Sequence, residues 1–442
     1  MSDVKEFTNT ASAGYARAVD SVPEGWTSAE LSDFCDTVGG GTPDRSVEEY
    51  WNGEIPWASP TEITTRHSKY ISKTKESITL RGLEKSSAKL HPPGTVLMTS
   101  RASIGYVAIN TVPMATNQGF QSLRCKKNAL ADYIYQYITW IRPELEKMSA
   151  GSTFSEISSS SVKRLRATLP PLPEQKKIAA ILSSVDEVIE KTRAQIDKLK
   201  DLKTGMMQEL LNKGIGADGV PHTEFKDSPI GRIPVSWDVL AISAVCSEIV
   251  DCVNKTAPVV DYVTPYRMIR TTNVRDGRIK TEGLRYVTPE TFNLWTRRLK
   301  LEAGDLIFTR EAPVGECGLL EDATGLFLGQ RTMVYRANKN KMSNLFLLYS
   351  MQSESCQAQL SDLSGGSTTP HLRVPDCSKI LLKVPPISEQ TLISESIRSA
   401  DSLLEKQQDK IAELNSLKKA LMQDLLTGKV RVQVEARELA KA

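Results

Sequence analysis

The chain has 442 residues and a net charge of +3, with 40% apolar and 25% charged residues. That is ordinary for a globular protein, and long enough for about two to four domains, each with its own core. No apolar run approaches the roughly 18 to 20 residues that span a bilayer. The first residues lack the basic start and apolar core of a secretion signal, and seven cysteines without a C-x-x-C pair read as reduced thiols of a cytoplasmic protein.

In chain order, an N-terminal extension (1–22) is expected to precede a first globular half (23–168), which opens on Pro23-Glu24-Gly25-Trp26 and meets Cys35 nine residues after the tryptophan. Gly39-Gly40-Gly41-Thr42-Pro43 is Gly-rich, but no helix pattern follows it, so it reads as a loop or bulge. Asp44 reads as a turn residue. Between residues 66 and 101, eight Lys/Arg stand against Glu76 and Glu84, a local charge of +6. Thr95 to Met98 follows a glycine and reads as a buried strand, while Asp132 to Ile141 is aromatic-rich and helix-like. Ser149-Ala150-Gly151-Ser152-Thr153 then reads as a turn before the last strand, with phosphate contact by Ser152 and Thr153 the alternative.

Next comes the most readable segment. Residues 170–214 align without a gap on residues 385–429 at an offset of 215, with 17 of 45 positions identical. A repeat of this length fixes architecture. Pro170-Pro171 and Pro385-Pro386 stop the preceding strands, and Ser388 reads as an N-cap. In the first copy Ile178, Leu182, Val185, Ile189, Ile196, Leu199, Met206 and Leu210 recur in alternating steps of four and three. Ile393, Ile397, Ala400, Leu404, Ile411, Leu414, Leu421 and Leu425 do so in the second. A period of 3.5 residues predicts coiled-coil helices (within 169–214 and 384–429), each a rod of roughly 57 Å. Thr192 and Gln407, and Lys203 and Lys418, interrupt the seam at equivalent places, where polar groups set register and partner. Gly214 and Gly428 close the helices.

A polar linker (215–232) leads to a second globular half (233–383), and a tail (430–442) follows the second helix. The second half repeats the landmarks of the first: Pro234-Val235-Ser236-Trp237, Cys246, the strand Leu306 to Phe308, the helix-like Asn344 to Met351, and Ser364-Gly365-Gly366-Ser367-Thr368. Ser367 and Thr368 carry the same choice between turn and phosphate contact, and Asp376 reads as a turn residue like Asp44. Residues 267–300 hold nine Lys/Arg against Asp276, Glu282 and Glu290, again a local charge of +6. The fold expected is α/β (α+β): two repeated globular domains separated by two long helices. Shared landmarks with divergent filling suggest one scaffold carrying two recognition surfaces. Local positive charge in both halves suits a polyanion.

Catalytic motifs are missing. There is no phosphate-cradling G-x-x-x-x-G-K-[ST] loop, no dinucleotide or S-adenosylmethionine turn, and no Asn/Asp-Pro-Pro-aromatic motif. His67, His91, His222 and His371 stand apart from one another. No cofactor, no metal and no catalytic residue is expected. One reading compatible with this is a coiled-coil scaffold with two protein-binding domains.

The order of parts nevertheless resembles the specificity (S) subunit of type I restriction–modification enzymes, from about residue 23 to 429. The marks are Leu169-Pro170-Pro171-Leu172-Pro173-Glu174-Gln175, the Pro-x-x-Trp openings, and the Gly-Ser-Thr turns. Val384-Pro385-Pro386-Ile387-Ser388-Glu389-Gln390 departs from the first copy in detail only. The resemblance implies that each half is a target recognition domain reading one part of a bipartite duplex site. It also implies that the helices pair antiparallel as a ruler, that methyltransferase (M) subunits, two of them, dock on them, and that restriction (R) subunits join the M–S core. Side-chain chemistry then selects candidates for DNA contact. They are Arg66, His67, Lys69, Arg101, Asn117 and Gln118 in the first half, and Arg270, Thr272, Asn273, Arg275, Arg278, Arg310, Gln330 and Arg331 in the second.

Overall fold

A computed structural model describes residues 22–149, 156–216, 219–365 and 370–434. The extension before residue 22, the Gly-Ser-Thr turns with Ser152, Thr153, Ser367 and Thr368, and the tail beyond residue 434 lie outside the described residues. Two compact units emerge, one formed by residues 1–195 and 407–442, the other by residues 196–406. Each therefore holds one globular half and a portion of both long helices.

In the first unit a five-stranded sheet runs in the order Cys35–Gly39, Gln121–Cys125, Val96–Met98, Val107–Asn110, Tyr70–Ile71. A three-stranded sheet sets Trp51–Ala58 between Glu76–Ile78 and Ala115–Thr116. Thr27–Glu30 pairs antiparallel with Arg166–Leu169, so the first and last strands of this half close on each other. The second unit repeats the plan. Cys246–Asp251, Thr332–Ala337, Leu306–Thr309, Cys317–Leu319, Gly277–Ile279 and Val274–Arg275 form its large sheet. Arg267–Ile269 lies between Arg285–Tyr286 and Leu326–Leu328, and Asp238–Ala241 pairs with Leu381–Val384. Parallel and antiparallel pairs mix in both halves. Val96–Met98 and Leu306–Thr309 are buried throughout, as their unbroken apolar runs predict. The aromatic helices form as Ala131–Ser149 and Asn344–Gln352, each laying its rings into its own unit's core.

The repeated segment folds as Leu172–Lys213 and Ile387–Leu426. Each helix begins after a Pro-Pro pair and carries a glutamate in its first turn, where a negative charge complements the dipole. Each ends near a glycine in the left-handed region, Gly214 (φ 66°) and Gly428 (φ 71°). Ser388 sits inside the first turn rather than capping it, because the helix already begins at Ile387.

Within each unit the two helices run antiparallel. In the first, Ile178 and Leu182 share a core with Met422, Leu425 and Leu426, and Lys418 Nζ lies 2.6 Å from Asp186 Oδ1. In the second, Leu211 shares a core with Ile393 and Ile397, and Lys203 Nζ lies 2.6 Å from Asp401 Oδ1. The lysines that interrupt the seam are thus its ion pairs, repeated at the 215-residue offset. At the helix ends the apolar face is broader than a coiled-coil seam. Leu211 and Met422 are buried beside their seam neighbours, because the globular half packs on the helix as well as the partner helix.

The expected linker is not free. Phe225–Lys226 pairs with Ile233–Pro234, and Gly216 and His222 are bonded to Glu389. Composition marked residues 215–232 as polar, but polar side chains do not prevent a segment from docking through its backbone. No helix is long and apolar enough to cross a membrane among the described residues.

Candidate nucleic-acid interface

Two shared dyads fix each domain on its helix. Glu174 Oε2 accepts from the Trp26 indole at 3.1 Å, and its carboxylate takes Arg431 Nε at 2.7 Å and Nη2 at 2.9 Å. Glu389 Oε2 accepts from the Trp237 indole at 3.0 Å, while Oε1 accepts from the Ile215 and Gly216 amides and lies 2.9 Å from His222 Nε2. In each case a carboxylate at a helix start joins the tryptophan that opens the domain to the segment leaving the other helix. The glutamine beside it does similar work. Gln175 accepts from the Leu130 amide and donates to the Asn128 and Pro170 carbonyls. Gln390 accepts from the Ser343 amide and donates to the Lys341 and Pro385 carbonyls. All four residues of the two dyads are buried. The Pro-Pro-x-x-Glu-Gln motif is therefore a structural latch.

Anchored in this way, each domain presents loops at one end of its first strand pair. Cys35–Gly39 pairs antiparallel with Gln121–Cys125, and Thr42 beyond the first strand donates its hydroxyl to Gln118 Oε1 just before the second. Cys246–Asp251 pairs with Thr332–Ala337, and Thr256 donates to Gln330 Oε1 at 3.1 Å. The loop after the central strand joins this end in both. The Ser100 amide donates to the Gly119 carbonyl at 2.7 Å, and the Arg310 amide donates to the Arg331 carbonyl at 2.9 Å. An arginine paired with a glutamate completes each cluster: Arg101 Nε with Glu156 at 2.9 Å, and Arg331 Nε with Glu311 at 3.0 Å.

The candidates from the sequence separate on this geometry. Arg101, Asn117 and Gln118 come together in the first cluster, with Asn117 Oδ1 accepting from the Gly119 amide. Gln330 and Arg331 sit in the second. Arg310 supports that cluster from below. It is 8% exposed, donates to Asp251 and to the Leu372 carbonyl, and so holds a loop instead of facing outward. Burial works against its charge, but Asp251 and the neighbouring thiols outweigh it, and its pKa lies above the usual value.

Lys69 is likewise turned inward. Its ammonium bonds Ser183 at 2.9 Å and pairs with Asp132, fastening the domain to the first long helix. Arg66 donates to the Tyr70 carbonyl, and His67 Nδ1 lies 3.3 Å from Arg193. Asn273 is buried, accepting from the Arg270 amide and donating to the Lys280 and Glu282 carbonyls. Thr272 is exposed on the same turn. Arg275 contacts the Val274 carbonyl and Glu316, and Arg278 pairs with Glu405 of the second helix. Residues 66–69 and 272–278 find their partners elsewhere, whereas Arg270 lies beside the second cluster, because the carbonyl of the preceding Ile269 accepts from the Gly329 amide at 2.7 Å. The sequence reading missed Thr42 and Thr256. Their only mark in the sequence is a place shortly after the first strand of each half.

Asp44 is a turn residue, accepting from the Ser46 amide and hydroxyl, whereas Asp376, expected in a turn, lies buried in the short helix Val374–Cys377, flanked by Arg373 and Lys379. His91 is fully buried, and burial together with Arg124 lowers its pKa to about 4. No group of three or more His, Cys, Asp or Glu could hold a metal ion among the described residues.

The model of the type I restriction modification DNA specificity domain matches residues 23–201 and 286–416, more than two thirds of the chain. The MjaIX specificity subunit of a Methanocaldococcus jannaschii type I restriction enzyme is 34% identical over half of this chain and 51% of its own length. The MjaVIII specificity subunit of the same organism is 27% identical over 93% of this chain and 94% of its own. Among solved structures, the type I restriction–modification S subunit of M. genitalium shares the fold at a TM-score of 0.57 and 13% identity, covering 93% of this chain and 97% of that one. A chain from a study of type I complex assembly and conformational transition aligns at 0.51 and 18% identity, over 93% of this chain and 100% of that one. The duplicated domains, the latched helices and the matched family model place the chain in the type I restriction–modification DNA specificity family, as a non-catalytic DNA-recognition subunit.

Proposed function

We propose that each globular half reads one part of a bipartite duplex DNA site. On this reading the two long helices set the gap between the parts and dock methyltransferase subunits, two of them, with restriction subunits joining that core in the cytoplasm. The observation that carries the reading is the strand-end cluster of polar and charged side chains, built once in each half on a shared framework. Phosphate contacts position a protein on DNA, whereas base-edge contacts specify sequence. Exposed Arg101, Gln118 and Arg331 and half-buried Asn117 and Gln330 have the chemistry for base edges, while Arg66, His67, Arg270, Thr272, Arg275 and Arg278 suit the backbone. Lys69, Asn273 and Arg310 serve by holding the loops.

A heptad inserted at matched points of both helices keeps their antiparallel register and adds about 10 Å, roughly three base pairs of duplex. The gap between half-sites preferred by the assembled methyltransferase is expected to grow by that amount. An unchanged gap would refute the spacer role.

A further inference from the structure

The Thr–Gln pair recurs in both halves although the surrounding sequence diverges. Gln118 is exposed, and Gln330 is partly so. In each, the side-chain oxygen is turned toward a threonine hydroxyl of the opposite loop. A free glutamine reads adenine with both ends of its amide, accepting from N6 and donating to N7. An amide whose oxygen already accepts from a hydroxyl has one of its two acceptor positions taken and turns its NH2 end outward. That donor reaches N7 of either purine but finds a second acceptor, O6, only on guanine.

Each pair also lies beside an arginine, the side chain that most often reads that edge, and a glutamate fixes the arginine's Nε. The backbone bonds from Ser100 to Gly119 and from Arg310 to Arg331 tie the two parts together at equivalent positions. Both surfaces set a hydroxyl-held amide near a carboxylate-held guanidinium, although the arginines come from different places, Arg101 after the central strand and Arg331 beside Gln330.

We propose that Thr42 and Thr256 are positioning residues for sequence reading, each locking its glutamine as a donor so that Gln118 and Gln330 select guanine in their respective half-sites. This rests on the proposed function, since it assumes that these loop clusters enter the groove.

The full chain assembled with its methyltransferase partner is presented with a pool of randomised duplexes, and the bound sequences are read. The unaltered complex is expected to require guanine at one position in each half-site. Thr42→Val keeps the shape of the side chain and removes its hydroxyl. It should relax the preference for guanine over adenine by about tenfold at the first position while leaving the second half-site unchanged. Thr256→Val should do the converse, Thr42→Ser should restore the preference, and Gln118→Leu should abolish it at that position. A bipartite site that lacks guanine, or base preferences unmoved by all these variants, overturns the inference alone. A complex that selects no bipartite site overturns the underlying function and the inference with it.

Discussion

Replacing Glu389 with alanine is expected to cost the second unit about 3–5 kcal/mol, the loss seen when one partner of a buried charged network is removed. The carboxylate is 2% exposed and is the acceptor for the Trp237 indole and two backbone amides, with His222 against it. Trp237, one of these donors, is itself fully buried. Glu174→Ala should cost less. Two of its three bonds come from Arg431, whose side chain is 45% exposed and can turn to water. Glutamine at either position should recover part of the loss by keeping an acceptor. Urea unfolding, followed by the amide protection of each unit separately, checks the ranking. Equal losses for the two alanine variants would contradict the account of the latch.

Acid should destabilise the first unit through His91. The folded-state pKa of about 4 lies below the ordinary histidine value near 6.5, so between those pH values the unfolded chain binds the proton and the folded one does not. Stability from this group is complete above pH 6.5 and falls as the pH drops toward 4, by about 3 kcal/mol in all. The cause is burial first, with Arg124 against the ring adding to it. His91→Gln removes the titration. The difference in unfolding free energy between the two proteins should therefore change with pH over this window. A constant difference would show that His91 titrates normally in the fold.

What could be read from the sequence was whatever repeats or alternates over a short range. The 3.5-residue period located both helices. Apolar runs located Val96–Met98 and Leu306–Thr309, and the Pro-Pro and Gly positions marked where the helices start and stop. The latch was visible only as a motif. Its partners lie 148 and 152 residues away in the chain, and no local pattern announces a bond between Trp26 and Glu174 or Trp237 and Glu389.

The DNA-contact candidates were chosen by residue type, which carries no sign of pairing. Lys69 and Arg310 have the charge of a phosphate contact, yet Asp132 and Asp251 hold them inside the fold. Thr42 and Thr256 failed to stand out for the opposite reason. A threonine in a loop is unremarkable until its hydroxyl is seen to fix the amide of a glutamine on another strand.

The central claim is that this one chain carries two separate readers on a common framework. Selection of random duplexes by the chain in complex with its methyltransferase partner tests it most directly. The account predicts two short specified tracts separated by an unspecified gap of constant length. Exchange of residues 23–168 for those of a relative should alter one tract and leave the gap and the other tract unchanged. A single uninterrupted tract, or an exchange that alters both tracts, would contradict it.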